Sequence, residues 1–207
     1  MPSITRPRTP PSKRRAESET AILAAVERLL MNGASFTELS VQRLADEAGV
    51  ARSTFYLCFQ DKTEVLVRLT SSMKDELFAM GGAWRPVGPD GGLDGLIEVF
   101  TRQLKYYRER APLLAAINEV IAYDESLRHE TLTSLSRFTK RTIAQLREER
   151  RAGRLSPGVD PVTSGQVLTW GGEQAVARQV EIGDRKDDAK VAKALAELQW
   201  FGVYRRP

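Results

Sequence analysis

The sequence is poor in the residues that build metal and redox centres. It contains one cysteine, Cys58, and one histidine, His129, among 207 residues. A single cysteine cannot form an intrachain disulfide, and no Cys-His cluster is present to hold zinc. We interpret Cys58 as a packing residue and His129 as a surface residue, because neither shows the partner that a ligand or a base requires. The sequence therefore predicts no metal site and no cofactor.

Long apolar runs are also lacking. No stretch of about eighteen apolar residues could span a bilayer, and the basic N-terminal segment is not followed by the apolar stretch of a secretory signal. The single cysteine is typical of a reducing compartment. Together these features predict a cytoplasmic protein that does not enter a membrane.

Catalytic motifs are missing as well. There is no Gly-rich phosphate loop, no nucleophile elbow and no spacing typical of metal ligands. Three acidic residues that lie near one another, Asp124, Glu125 and Glu130, form the main alternative, an enzyme site. However, Asp124 also suits the start of a helix, and the other two suit a solvated face. We therefore expect no catalytic residues and a protein that is not an enzyme.

Basic residues are in excess at the N-terminus. The first fifteen residues contain five Lys and Arg, four prolines and no acid. Such a segment cannot build a core, so we predict a basic flexible arm over residues 1–16. Two interpretations of this arm stay open: it follows the DNA backbone or minor groove, or it only solubilises the chain.

The rest of the sequence is dominated by helical periodicity. Apolar residues recur at i, i+3 and i+4, and no run of alternating residues indicates a strand. With 42% hydrophobic residues the chain can bury a core, and we predict an all-α fold in two unequal parts. The first expected helix ends at Asn32-Gly33, and the others cover about 40–48, 52–59, 61–80, 93–107, 113–121, 127–153, 161–182 and 188–203.

The most informative stretch, residues 40–59, predicts two short helices joined by a tight turn. Gly49 suits the turn because it can take a positive φ without a Cβ clash. Phe55 and Phe59, four residues apart, should point into a small core. This arrangement is typical of a helix-turn-helix, whose second helix lies in the major groove of DNA.

The opposite face of the second helix carries side chains suited to DNA. Ser53 and Thr54 can hydrogen-bond bases or phosphates, and Leu57 can meet a thymine methyl group. Tyr56 can direct its hydroxyl at a phosphate, and residues at neighbouring helix starts can reach the backbone. The predicted DNA-contacting residues are Ser40, Arg52, Ser53, Thr54, Tyr56, Leu57 and Lys62.

The same stretch resembles a known family. The pattern Leu39-Ser-Val-x-x-Leu-Ala-x-x-Ala-Gly-Val-x-x-Ser-Thr-Phe-Tyr-x-x-Phe-x-Asp-Lys-x-x-Val-Leu66 is similar to the signature of the TetR family of repressors. Carried over position by position, the resemblance implies operator contacts from Ser40, Ser53, Thr54, Tyr56 and Lys62.

Two positions depart from that family's pattern. Ala51 stands where many members have a Ser or Thr cap, which predicts a less firm start of the recognition helix. Leu57-Cys58 replaces a pair that often contains histidine, which leaves the base preference open. Further on, residues 150–161 and the segment Trp200-Phe-Gly-Val-Tyr204 resemble the EthR-like actinobacterial branch. That resemblance implies a long apolar pocket and a dimer built on the last two helices.

Most of the chain lies beyond the motif, and this length favours a sensor. The other alternative, a protein that coats DNA without an effector, would need little more than the N-terminal helices. Aromatic residues at helical spacing could line an apolar cavity with a polar handle at Asn118. The predicted ligand-binding residues are Trp84, Phe100, Leu104, Tyr107, Leu114, Asn118, Phe138 and Trp170.

Small residues mark the last two helices. Gly165 and Gly172 recur on one, and Ala192 and Ala196 on the next. They could form a symmetric interface between two subunits or pack within one subunit. A dimer is favoured on separate grounds, because one short helix reads too few base pairs and two copies double the half-sites.

The sequence thus predicts three segments and one function. Residues 1–16 are the arm, 17–61 the helix-turn-helix DNA-binding domain, and 62–207 the effector-binding and dimerisation domain, which is helical throughout. The predicted function is that of a homodimeric transcriptional repressor. A small apolar effector would release it from palindromic double-stranded operator DNA.

Overall fold

The computed structural model describes residues 11–204. Over this range the chain is all-α, as predicted, with one short 3₁₀ helix (Arg185–Asp187) and no strand beyond a single β-bridge between Leu155 and Tyr204. None of the helices in this range is long and apolar enough to cross a membrane. The helices are α1 (Pro11–Met31), α2 (Val41–Ala48), α3 (Arg52–Cys58), α4 (Lys62–Gly82), α5 (Gly92–Glu109), α6 (Ala111–Ile121), α7 (Glu125–Arg151), α8 (Pro161–Ile182) and α9 (Asp188–Val203).

The first helix begins earlier than the sequence analysis expected. Residues 11–16, assigned there to the flexible arm, form the first turns of α1, while residues 1–10 of the predicted arm lie outside the described range. Lys, Arg and Ala favour a helix, and proline is tolerated at its first position. A tertiary contact also reaches this segment, because the Cys58 thiol donates to the Arg15 carbonyl at 3.7 Å.

The first three helices pack around a small core. Ile22 and Val26 of α1, Leu44 of α2 and Phe55 of α3 are fully buried, and Phe59 is 1% exposed. The rings of Phe55 and Phe59 lie 5.8 Å apart. These contacts confirm the predicted core face of α3 and leave its other face free to meet a partner.

Helix α4 leads from this unit into the larger part of the chain. Near its start, the Arg68 guanidinium pairs with Glu19 of α1 at 3.1 Å. Further along, α4 packs against α7 and α5, where Leu77 and Phe78 are buried. The unit of α1–α3 (the recognition unit) and the bundle of α5–α9 (the C-terminal bundle) are therefore joined by one continuous helix, α4.

The C-terminal bundle is held together by a clamp at Arg108 of α5. Its guanidinium donates to both carboxylate oxygens of Asp188, at 3.0 and 2.8 Å. It also donates to the carbonyls of Gln179, Val180 and Gly183 at the end of α8. One side chain thus fixes α5 against the connection between α8 and α9.

The small residues of α8 and α9 pack inside the chain. Ala192 and Ala196 are fully buried. At Gly165, where α8 crosses α7, an added Cβ would lie 2.6 Å from Cγ1 of Ile143. Of the two interpretations open for these small residues, packing within one subunit is the one that the structure supports.

The close approach at Gly165 yields a stability prediction. Gly165→Ala should lower the free energy of unfolding by about 1–3 kcal/mol, because the new methyl group overpacks the α7–α8 contact. Gly171→Ala on the same helix is the matched control, since a Cβ there meets no atom within 4 Å, and its helix propensity should leave stability equal or higher. Urea unfolding of both variants tests this, and equal effects would contradict it.

Candidate DNA-binding surface and ligand cavity

The turn of the helix-turn-helix has the predicted geometry. Gly49 ends α2 in the left-handed region, with φ 67°. Ser40 caps the start of α2, where its hydroxyl oxygen accepts from the Arg43 N–H at 3.2 Å. Ala51 makes no side-chain hydrogen bond at the start of α3, as expected from that departure from the family pattern.

The solvent face of α3 brings four predicted residues together. Tyr56 is 48% exposed and Leu57 is 68% exposed, and Arg52 and Ser53 are exposed beside them. Thr54 is only half-buried. The Arg52 guanidinium lies 5.8 Å from the centre of the Tyr56 ring. This short helix therefore carries a guanidinium, a hydroxyl, a phenol and an aliphatic side chain. Major-groove readout uses such hydrogen-bond donors and apolar contacts.

Lys62 is placed differently from the prediction that it contacts phosphate. Its ammonium donates to the carbonyls of Phe36, Thr37 and Leu39 at 3.0, 2.7 and 3.0 Å. Burial lowers the pKa of this ammonium, although Glu119 nearby acts to raise it. An ammonium has three donors, and all are used within the chain. Lys62 therefore stabilises the loop before α2, and no N–H of its ammonium is left for the phosphate contact that was predicted.

Removing this ammonium should weaken the N-terminal unit. Lys62→Met leaves three carbonyls without their donor, and we expect the free energy of unfolding to fall by about 2 kcal/mol. Lys105→Met is the matched control, because Lys105 is a largely exposed lysine on α5. Thermal or urea unfolding reads out both. Unchanged stability in Lys62→Met would show that the three hydrogen bonds contribute nothing.

A cavity of about 510 Å³ lies between α4, α5, α7 and α8. Aromatic side chains form much of its wall. The rings of Phe78 and Phe138 stack with their centres 4.3 Å apart. Trp84 and Tyr204 contribute a second aromatic contact at 5.4 Å, and Phe100 of α5 also lines the space. The size and lining are those of a site for a small, largely apolar molecule.

Half of the predicted ligand-binding residues lie in this wall and half do not. Those that line the cavity are Trp84, Phe100, Tyr107 and Phe138. Leu104 and Leu114 pack elsewhere, and Asn118 and Trp170 are exposed. Leu114 and Asn118 lie outside the wall because α6 forms no part of it. Leu104 is buried in the core away from the cavity, and the Trp170 side chain points to solvent.

Two charged residues at the cavity were not predicted from the sequence: Glu173, which lines the wall beside Tyr107, and Lys74, which binds both of them. Lys74 of α4 is 6% exposed, and its ammonium donates to a carboxylate oxygen of Glu173 on α8 and to the Tyr107 hydroxyl, the latter at 3.4 Å. Burial lowers the pKa of Lys74, but Tyr107 and Glu173 outweigh that effect and raise it. A signal was present: Lys74 lies four residues after Thr70 and four before Phe78, which places it on the core face of α4.

Charged side chains lie at the cavity rim. Arg85, Arg141 and Glu148 are exposed. Deeper in, the side-chain amides of Gln103 and Gln145 donate to the carbonyls of Leu77 and Trp84 at 3.3 and 3.2 Å. These glutamines hold the segment after α4 against α5 and α7.

The recognition unit also contacts α6. The Thr37 hydroxyl, in the loop held by Lys62, donates to Glu119 of α6 at 2.9 Å. This hydrogen bond is a second connection between the recognition unit and the C-terminal bundle, in addition to α4.

The acidic residues considered as an enzyme site have other partners. Asp124 caps α7 and accepts from the Leu127 N–H at 2.9 Å and from the Ser126 hydroxyl at 2.6 Å. Glu130 accepts from the Ser134 hydroxyl at 2.7 Å. These carboxylates stabilise the first turns of α7.

The fold and the two sites define a class of protein: a helix-turn-helix domain with an exposed recognition helix, joined to a helical domain with an apolar cavity. Comparison with known proteins agrees. Residues 22–69 match the family described as "Bacterial regulatory proteins, tetR family". The chain is 35% identical over 108 residues to the transcriptional regulator EthR of Mycolicibacterium smegmatis, an alignment that spans 48% of this chain and 49% of that relative.

Solved structures share the fold along nearly the whole chain. A TetR-family regulator from Mesorhizobium loti superposes with a TM-score of 0.69 at 18% identity. The superposition covers 96% of this chain and 100% of that one. FadR of Bacillus subtilis, solved with stearoyl-CoA, superposes with a TM-score of 0.65 at 18% identity, covering 90% and 98%. Residues 22–69 thus match the DNA-binding domain of the TetR family, the chain shares its fold with TetR-family regulators, and about half of it is similar to EthR.

Proposed function

We propose that the protein is a homodimeric transcriptional repressor that binds palindromic operator DNA and is released by a small, largely apolar ligand. The observation that carries this proposal is the joining of an exposed recognition helix to an aromatic cavity by one helix, α4. DNA as the partner implies that it works in the cytoplasm. The match to a regulator over about half of its length supports the DNA-binding part.

In this proposal α3 reads the major groove. Ser53 and Leu57 face base edges, and Tyr56 donates its hydroxyl to a phosphate beside them. Ser40 presents the start of α2 to the backbone, where free N–H groups and the helix dipole favour a phosphate. Thr54, which is half-buried, reaches the groove from the edge of this surface. Lys62 is left out of the contact set because its ammonium is already bound.

Two substitutions on α3 separate affinity from sequence preference. Tyr56→Phe should weaken binding to all sequences by about tenfold, because one hydrogen bond to a charged phosphate is lost. Leu57→Ala should instead relax the preference at one thymine position, because a methyl contact is lost. Fluorescence anisotropy with an operator and a single-base series measures both.

The control for this pair is Leu132→Ala, since Leu132 is an exposed leucine on α7, 60% exposed and away from α3. It should bind DNA as the parent protein does. If Tyr56→Phe left the affinity unchanged, the assignment of this face to DNA would be wrong.

The dimer would form on the outer face of α8 and α9. Val167, Trp170 and Leu198 are 62%, 49% and 74% exposed there. Large apolar side chains grouped on one exposed surface are typical of a protein interface. Two copies joined on this face would present two recognition helices to the two half-sites of a palindrome.

A charge on this face should separate the subunits. Trp170→Glu is expected to give a monomer in light scattering, because a carboxylate would be buried without a partner. Operator affinity should then fall by at least about tenfold, since only one half-site is read. Leu132→Glu, which places the same charge on an exposed position of α7, should remain dimeric. A dimeric Trp170→Glu protein would exclude this interface.

The ligand would act through α4. Phe78 in the cavity wall and Lys62 at the start of α4 lie on the same helix, about 24 Å apart along its axis. A ligand that binds one tilt of α4 better than another shifts the population toward that tilt. The tilt changes the spacing of the two recognition helices in the dimer, and so the fit to the operator. The stearoyl-CoA found with Bacillus subtilis FadR supports a ligand with a long apolar part.

A further inference from the structure

The cavity wall holds an uneven set of polar groups. Most of its surface is apolar and aromatic, while Glu173 and Tyr107 bring a carboxylate and a phenol into the wall side by side. Both groups bind the ammonium of Lys74. A few polar groups in a largely apolar cavity orient a ligand and favour a head group that complements them.

The positive charge of Lys74 is closed off from the cavity. Its side chain is 7% exposed and does not line the cavity, whereas Glu173 and Tyr107 do. The negative charge of Glu173 cancels the positive charge of Lys74, so the ion pair has no net charge. An anionic head group would have to displace Glu173 from Lys74, which would leave one carboxylate buried without its partner.

Glu173 nevertheless keeps one oxygen for a ligand. Its Oε1 binds Lys74, whereas Oε2 has no hydrogen-bond partner among residues 11–204. That oxygen is not sealed in, because no buried side-chain oxygen or nitrogen in this range lacks a partner. The wall therefore offers an accessible hydrogen-bond acceptor at Oε2 of Glu173.

Tyr107 supplies the complementary donor. Its hydroxyl oxygen accepts from Lys74 at 3.4 Å, so its own O–H remains to be donated. The hydroxyl and Glu173 converge on the same ammonium and are close neighbours. An acceptor and a donor side by side match a group that both donates and accepts.

We propose that the ligand of this cavity has an apolar body and a neutral head group that both donates and accepts a hydrogen bond, as an alcohol does. The head group donates to Oε2 of Glu173 and accepts from the Tyr107 hydroxyl. Ethers, which only accept, and carboxylates, which are anionic, are disfavoured. This inference rests on the proposed function, since it takes the cavity to be the effector site.

The first test compares three probes on the unaltered full chain without DNA. They are n-octanol, its isomer heptyl methyl ether, and octanoate, and titration calorimetry measures each dissociation constant. We expect n-octanol to bind at least about tenfold more tightly than the ether, because a hydrogen bond to a charged carboxylate is lost in the ether. Octanoate should bind more weakly than n-octanol. Equal binding of the alcohol and ether, tighter binding of octanoate, or no binding of n-octanol would each overturn the proposal.

The second test removes the polar cluster. The double variant Lys74→Met, Glu173→Leu replaces the ion pair by apolar groups of similar size, a change that folded proteins often tolerate. It should bind the ether as the parent chain does and lose the preference for n-octanol. A preference that survives in this variant would overturn the role of Glu173. The control is Glu181→Gln, which neutralises an exposed carboxylate on the same helix and should keep the parent's preference.

The three-probe comparison needs no variant, so it still decides the proposal if the double variant fails to fold. Because ligand binding is measured without DNA, its outcome is independent of operator binding. A chain that prefers n-octanol but binds no operator would contradict the proposed repressor and leave the ligand class standing. The reverse result would contradict the ligand class alone.

Discussion

Helix α4 takes part in two packed regions at once, and this double role constrains the rest of the chain. At its start Lys62 holds three loop carbonyls, and Arg68 pairs with Glu19 of α1. Toward its end Phe78 forms part of the cavity wall. An α-helix of this length is stiff, so a change in cavity shape that moves the end of α4 also moves its start. In the proposed function α4 therefore couples DNA recognition to ligand binding, and the Thr37–Glu119 hydrogen bond is a second contact between the two parts of the chain.

The buried ion pair between Lys74 and Glu173 points to specificity more than to stability. Moving two charges out of water is costly, and apolar replacements of such pairs are often as stable. The pair lies where α4 and α8 meet, and its Glu173 adds a carboxylate to a largely apolar wall. If the cavity is the effector site, as we propose, this position makes the ligand's head group, and not only its size, a condition for binding. The same contact joins α4 to α8, whose outer face carries the proposed dimer surface.

The helix-turn-helix could be predicted from sequence because its signals are local. Gly49 marks the turn, Ser40 caps α2, and the spacing of Phe55 and Phe59 fixes the buried face of α3. The cavity could not be predicted as well, because its wall depends on which helices meet. Asn118 lies on α6, which takes no part in the wall. No local pattern reports such a packing choice, nor the direction of the loop carbonyls that bind Lys62 and so remove it from the DNA surface.

The proposed repressor depends on one property above all, which is that this chain reads a specific DNA sequence as a dimer. Footprinting of the purified protein on DNA upstream of its own gene, repeated across a salt series, tests it most directly. The account predicts a protected palindrome and an affinity that falls steeply as salt rises, since phosphate contacts release counterions. Salt-sensitive binding without a footprint would indicate a protein that coats DNA, and no binding at low salt would contradict the account altogether.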